Sequence, residues 1–111
     1  MILHLTIKKE WFNLISKGEK TEEYREIKDY YLKRLLKCEK RCIRKENCDG
    51  CPCISFKEFQ SVMLHEGYNT RNNLELAIKE ITTGKGKPEW GAEADRIYFI
   101  IKLGKKIQQN H

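Results

Sequence analysis

The charged stretch "KGEKTEEYRE" contains residue types that could recognise a polar ligand, with three cations and four acids in ten residues. If Lys20–Glu26 is a strand, the side chains of Glu23 and Arg25 lie on the same face. A carboxylate can then fix a guanidinium so that its remaining N–H donors point outward, towards a phosphate or a base edge. Lys20 would add a point charge, or a base if it is desolvated. The alternative is a surface salt-bridge ladder that only keeps a strand soluble.

A second candidate segment is the late stretch "GKGKPEWG", which combines glycines, two lysines and an indole. Lys85, Lys87 and backbone N–H groups could contact a phosphate while Trp90 stacks on a base. The segment lacks the spacing of a P-loop, so it does not predict hydrolysis of a nucleoside triphosphate. We expect Glu93 to be a second acid near the same site. The alternative is that Trp90 closes one end of a β-barrel.

A cysteine-rich segment at about 38–55 holds five cysteines within sixteen residues. Cys48 and Cys51 have the two-residue spacing of a zinc knuckle, and Cys38 and Cys42 are four residues apart at the end of an expected helix. These four residues form a candidate structural zinc site, with Cys53 as an alternative ligand. Free thiols remain a second possibility and disulfides a third, although disulfides are rare in the cytosol.

Positive charge is concentrated between Lys33 and Lys45, where seven Lys or Arg residues accompany one acid. The net charge of this segment equals the +6 of the whole chain. Such a segment favours an anionic partner, nucleic acid before membrane. A zinc ion in the cysteine segment would order Arg41, Arg44 and Lys45 into a patch that could hold a nucleic-acid backbone. The alternative is a solvated helix face.

The pattern of apolar residues predicts a small, mainly antiparallel sheet or barrel with two short helices. The chain of 111 residues is expected to be one domain, cytoplasmic and monomeric, without a membrane-spanning segment. The final strand is expected to end at Gly104, before a frayed polar tail, and Asp29 is expected to be the N-cap of the second helix. The expected elements are strands 2–7, 20–26, 61–65, 73–81 and 96–103, helices 8–17 and from 29 onward, a turn at 66–69 and a loop at 82–93.

The pattern G-x-K-x-x-E-x-R from Gly18 to Arg25, followed by "GKGKPEWGAE" and "YFIIKLGK", resembles the ASCH domain of the PUA-like superfamily. The resemblance covers nearly the whole chain except the cysteine segment and is greatest to small phage and bacterial ASCH proteins. It implies an α+β, mainly β fold: a small β-barrel of five to six mostly antiparallel strands with two flanking helices. It also implies a cleft lined by the motif residues.

The same resemblance implies RNA binding, or enzymatic activity as an amidohydrolase on N-acylated nucleosides or as a ribonuclease. In the amidohydrolase branch, a Lys and a Thr three residues later act with a distant Glu. Lys20 matches that Lys, but Glu23 occupies the position of the Thr and cannot act as a hydroxyl nucleophile. If the protein is an enzyme, Lys20, Glu23 and Glu93 are the candidate acid and base.

Three hypotheses therefore follow from the sequence. The first is a module that binds RNA or a nucleotide-like ligand, with no organic cofactor. The second is a small hydrolase. The third is a zinc-stabilised module that binds another protein.

Overall fold

The computed structural model describes residues 1–36, 56–67 and 69–110. Five strands form one curled, half-barrel sheet, and two helices complete a mainly β, α+β fold. The expected fold class is therefore confirmed. The elements are β1 (Ile2–Ile7), α1 (Lys9–Ser16), β2 (Glu22–Glu26), α2 (Asp29–Leu35), β3 (Ser61–Glu66), β4 (Asn69–Lys85), a 3-10 turn (Pro88–Trp90) and β5 (Ile97–Asn110).

The strand order is β1-β3-β4-β5-β2, so β1 and β2 are the two edges of the sheet. β1 pairs with β3 in parallel, and the other three pairs are antiparallel. Because β1 and β2 do not pair with each other, an opening remains between them. The Arg25 side chain crosses this opening and donates from Nη2 to the Thr6 carbonyl at 3.1 Å.

Both helices pack into the same hydrophobic core as the sheet. Phe12 and Ile15 of α1 and Leu32 and Leu35 of α2 are almost completely buried. Alternation in β1 buries every second side chain, as the sequence predicts. α2 begins at Asp29 with Lys28 in the capping position and without a side-chain capping bond, so the expected N-cap is wrong by one residue.

A second, smaller apolar cluster lies beside β2 and β5. It consists of Tyr24, Tyr98, Ile100 and Ala92, with Trp90 packed against them. Because Phe99 and Ile101 of β5 belong to the main core, this strand is buried on both faces in its central part. The second cluster attaches the 86–93 segment to the sheet and so builds one wall of the site described below.

Three expected boundaries of the long β4–β5 hairpin are wrong. β4 already begins at Asn69 and not at 73. β5 does not end at Gly104 but continues to Asn110, and β4 includes 82–85, which was expected to be loop. The polar tail is held by backbone pairing with the start of β4, and Ser16 Oγ donates to Gln109 Oε1 at 2.8 Å. Hydrophobic alternation cannot reveal such a strand because its stability comes from backbone hydrogen bonds to a neighbour.

The ends of the cysteine-rich segment lie side by side. Leu36 forms an isolated bridge with Phe56, and the Lys57 N–H donates to the Leu35 carbonyl at 2.8 Å. All five cysteines, together with Arg41, Arg44 and Lys45, lie outside the described residues. Their expected roles therefore stay predictions.

No helix among the described residues is both long enough and apolar enough to cross a membrane.

Candidate ligand-binding cleft

A cleft of about 390 Å³ lies at the free edge of β2, in the opening between β1 and β2. Side chains from both faces of β2 line it, because Glu23 and Arg25 lie on one face and Tyr24 on the other. Glu23 and Arg25 of the sequence motif therefore lie beside the opening between the two edge strands of the sheet. The lining residues are Thr6, Ile7, Lys8, Trp11, Glu23, Tyr24, Arg25, Glu26, Lys28, Tyr31, Trp90, Gly91, Glu93, Arg96 and Tyr98.

Lys20 lies beneath the cleft and does not line it. Its side chain is completely buried, and Nζ donates to Glu23 Oε1 at 2.9 Å and to the Glu22 carbonyl at 2.6 Å. The ammonium also lies 5.7 Å from the centre of the Trp11 ring and 5.6 Å from that of Tyr24. Removal from water disfavours the charged form and lowers the pKa of Lys20, while the Glu23 carboxylate opposes this effect.

Glu23 is 5% exposed, and its two carboxylate oxygens have different environments. Oε1 accepts hydrogen bonds from Lys20 Nζ at 2.9 Å and from the Tyr24 N–H at 3.2 Å. Oε2 is buried and accepts no hydrogen bond from any described residue, although Arg25 Nη1 lies 3.4 Å away as an ion-pair partner. A buried acceptor without a hydrogen bond is costly, so a ligand that donates to Oε2 would relieve that cost.

Arg25 is held in one orientation by two backbone carbonyls, whereas the sequence predicts that the Glu23 carboxylate fixes it. Nη1 donates to the Tyr24 carbonyl at 2.8 Å, and Nη2 donates to the Thr6 carbonyl at 3.1 Å. A guanidinium has five N–H donors, so these bonds fix it and still leave donors for a ligand. Arg25 also lies 5.9 Å from the centre of the Tyr31 ring.

The 86–93 segment is fixed to the sheet by two tyrosine hydroxyls. The Lys87 N–H donates to Tyr24 Oη at 3.0 Å, and the Glu93 N–H donates to Tyr98 Oη at 2.9 Å. Tyr24 Oη in turn donates to Glu22 Oε1 at 2.8 Å, and burial raises the pKa of this phenol well above its ordinary value. Tyr24 therefore holds the segment as a neutral side chain.

This arrangement differs from the expectation that the backbone N–H groups of the segment are free to contact a phosphate. The N–H groups of Trp90, Gly91 and Ala92 donate to carbonyls within the segment itself. Gly86 is packed so closely that an added Cβ would lie 2.6 Å from the Ala92 Cβ and 2.9 Å from the Tyr24 ring. The segment therefore forms a packed wall of the cleft, and three of its backbone N–H groups are bonded within the segment itself.

Neither Lys85, at the end of β4, nor Lys87 of the 86–93 segment lines the cleft. Lys85 pairs with Asp95 at 3.3 Å, and neither residue lines the cleft. Lys87 Nζ lies 4.3 Å from the centre of the Trp90 ring. Trp90 lines the cleft and Lys87 does not.

Charged residues at the rim of the cleft pair with one another. Arg96 contacts Glu93 at 3.2 Å and Glu26 at 3.5 Å, and Lys28 lies 3.8 Å from Glu26. The hydrogen bond from Arg96 to Glu93 raises the pKa of this exposed guanidinium. Glu93 thus lines the cleft, and its carboxylate pairs with Arg96.

Five aromatic residues line the cleft, and sequence reasoning identified only Trp90 among them. Trp11 and Tyr31 belong to helices, while Tyr24 and Tyr98 face each other at 5.9 Å between ring centres. Their signal in the sequence was weak, because each also fits an apolar pattern expected of the core. Tyr24 was identifiable in principle, since it lies between Glu23 and Arg25.

Comparison with protein-family models, with curated proteins and with solved structures gave no match. The geometry of the cleft therefore carries the functional argument.

The described residues contain no group of three or more His, Cys, Asp or Glu side chains that could hold a metal ion.

Proposed function

We propose that the protein is an ASCH-like module that binds a nucleobase-containing ligand in the cleft between β1 and β2. The observation that carries this proposal is Glu23 Oε2, a buried acceptor at an aromatic-walled cleft with no hydrogen bond from the described residues. A planar base can insert between aromatic side chains while an N–H on its edge donates to this oxygen.

The chemistry of the four common bases fits this arrangement. Each of them has at least one N–H donor on its Watson–Crick edge, and each has a flat surface that can stack. One donor is enough, because the other oxygen of Glu23 is already bonded to Lys20 and to the Tyr24 N–H.

The cations around the cleft suit the phosphate of the same ligand. Arg25 is fixed with donors to spare, and Lys28 is more than half exposed at the rim. Lys8 also lines the cleft and makes no ion pair within the described part of the chain. In this proposal Lys20 acts indirectly, because its hydrogen bond orients the Glu23 carboxylate.

The hydrolase hypothesis has one observation in its favour, the lowered pKa of Lys20. A lysine of this kind can act as a base when substrate reaches its amine. Here Lys20 is 1% exposed, and both hydrogen bonds of its amine go to other groups of the chain. The geometry therefore supports binding better than turnover.

The zinc-stabilised protein-binding hypothesis depends on residues outside the described ranges, so it remains a prediction. Metal analysis of the purified protein before and after chelation tests the zinc site. Less than one equivalent of zinc in untreated protein would contradict it.

A substitution at Glu23 tests the proposed function directly. Trp11 and Trp90 are the only tryptophans of the chain and both line the cleft, so their fluorescence reports on its occupancy. We expect nucleoside monophosphates to change this fluorescence at saturation. Glu23→Gln exchanges a charged acceptor for a neutral amide and should weaken binding by roughly 10-fold or more, since hydrogen bonds to charged groups contribute about 1.5–3 kcal/mol.

The matched control is Glu80→Gln, which removes the same charge from an exposed residue on β4 that pairs with Lys102. It should leave binding unchanged, and melting temperatures should show that both variants fold. Chromatography of the same samples after incubation should recover intact nucleotide. Equal affinity of wild type and folded Glu23→Gln would overturn the proposed role of Glu23, and steady product formation would favour the hydrolase.

A further inference from the structure

The surface of α2 beside the cleft carries an exposed aromatic side chain that does not line the cleft. Tyr30 is 58% exposed, and its ring contacts Tyr31 edge-on with 4.9 Å between the ring centres. Tyr31 lines the cleft. An aromatic surface therefore continues from the cleft to the outside of the molecule without interruption.

Cations accompany this aromatic surface along its length. Lys28 lies 5.9 Å from the centre of the Tyr31 ring, and Arg34 lies 5.4 Å from that of Tyr30. Arg34 is fixed from two sides, because Nη1 donates to Tyr30 Oη at 3.2 Å and Nη2 donates to the His4 carbonyl at 2.7 Å. These bonds hold the guanidinium beside the exposed ring with further donors available.

Alternating aromatic and cationic side chains are the arrangement by which proteins hold single-stranded nucleic acids. The aromatic rings stack on successive bases, and the cations follow the phosphates. A ligand of one nucleotide would use only the cleft and leave Tyr30 in water. A longer strand would use both.

We propose that the ligand is a single-stranded oligonucleotide, with one base in the cleft and the adjacent base stacked on Tyr30. The phosphate between these two bases lies near Lys28 and Arg34. This inference rests on the proposed function of the cleft, to which it adds a second binding position and a polymeric substrate class.

The test compares ligands of increasing length on one protein. Tryptophan fluorescence is titrated with a nucleoside monophosphate and with di-, tri- and hexanucleotides of the same base, in ribose and deoxyribose series. Base stacking on an aromatic side chain contributes about 1–3 kcal/mol, so the dinucleotide should bind roughly 5- to 150-fold more tightly than the monophosphate. The two series distinguish RNA from single-stranded DNA as the preferred strand.

Substitutions on α2 assign this gain to its residues. Tyr30→Ala should reduce the dinucleotide to the affinity of the monophosphate while monophosphate binding stays unchanged. Tyr30→Phe retains the ring and should retain most of the gain. Arg34→Gln should weaken oligonucleotide binding. It should also reduce the slope of log affinity against log salt concentration by about one, the amount expected for one lost phosphate contact. Lys105→Gln removes one charge from an exposed residue on the distal part of β5 and should have no such effect.

The outcomes separate this inference from the proposed function. Monophosphate binding without any gain on lengthening would overturn the α2 position and leave the cleft assignment intact. A gain that survives in folded Tyr30→Ala would also overturn it. Absence of binding by every ligand at low salt would overturn both.

Discussion

At the scale of single residues, the proposed function depends on the Lys20–Glu23 pair. Lys20 is 1% exposed and Glu23 is 5% exposed, so each would be a costly isolated charge. Together they form one neutral unit, and Glu23 Oε2, which is buried, accepts no hydrogen bond from the described residues. The lysine is thus a positioning residue for the carboxylate.

Removing the lysine should therefore be expensive for folding. Lys20→Met leaves Glu23 without its principal partner, and breaking a buried ion pair costs about 3–5 kcal/mol. Urea unfolding should show a loss of this size at neutral pH. The double variant Lys20→Met/Glu23→Leu removes both charges and should recover much of the loss. A loss below about 1 kcal/mol in the single variant would contradict a paired, buried Lys20.

Lys20→Met should also change the way in which the free energy of unfolding depends on pH. Burial lowers the pKa of Lys20 in the folded protein below the value of about 10.4 that lysine has in an unfolded chain. Between these two values the unfolded chain binds more protons, so the free energy of unfolding rises with pH there. Lys20→Met should lack this contribution, which a difference between the two pH profiles would reveal.

At the scale of elements, the 86–93 segment is held in place by packing and by the hydroxyls of Tyr24 and Tyr98. Under the proposed function, a fixed wall would reduce the ordering cost of binding, because the cleft is formed before a ligand arrives. Gly86 lies so close to Tyr24 and Ala92 that a side chain at this position has no room.

Gly86→Ala tests this rigidity. The added Cβ would lie 2.6 Å from the Ala92 Cβ, so the segment must shift, and overpacking of this kind costs about 1–3 kcal/mol. Thermal melting should show reduced stability, and ligand affinity should fall as Trp90 moves. Gly84→Ala is the matched control, since its Cβ would meet only the Ile100 Cδ1 methyl at 3.3 Å. Equal effects of the two substitutions would contradict a fixed 86–93 wall.

At the scale of the whole molecule, the sequence was a good guide to the sheet and a partial guide to the cleft. Alternating apolar residues predicted β1, and the two-residue period placed Glu23 beside Arg25, which the structure confirms. The extension of β5 was missed because pairing with β4 stabilises it, not hydrophobic burial. The burial of Lys20 was missed because a lysine is rarely buried unless it is paired. The sequence alone does not show that Glu23 is its partner.

The aromatic walls of the cleft could not be predicted, because they come from distant parts of the chain. Trp11, Tyr31 and Tyr98 meet at the cleft only because the sheet leaves an opening between β1 and β2. This opening is a property of the strand order. A family resemblance implied a cleft near the motif, but it did not identify these side chains.

The measurement that tests the central claim most directly compares one base with its N-methylated form. Wild-type protein is titrated with uridine 5′-monophosphate and with its 3-methyl analogue, which stacks equally well but has no base N–H, and tryptophan fluorescence follows the occupancy of the cleft. The same comparison is made for whichever other base binds most tightly, with every base N–H methylated in the analogue. We expect the methylated ligand to bind at least 10-fold more weakly, because it cannot donate to Glu23 Oε2. Equal affinity for the two ligands would contradict recognition of a base through this buried carboxylate oxygen.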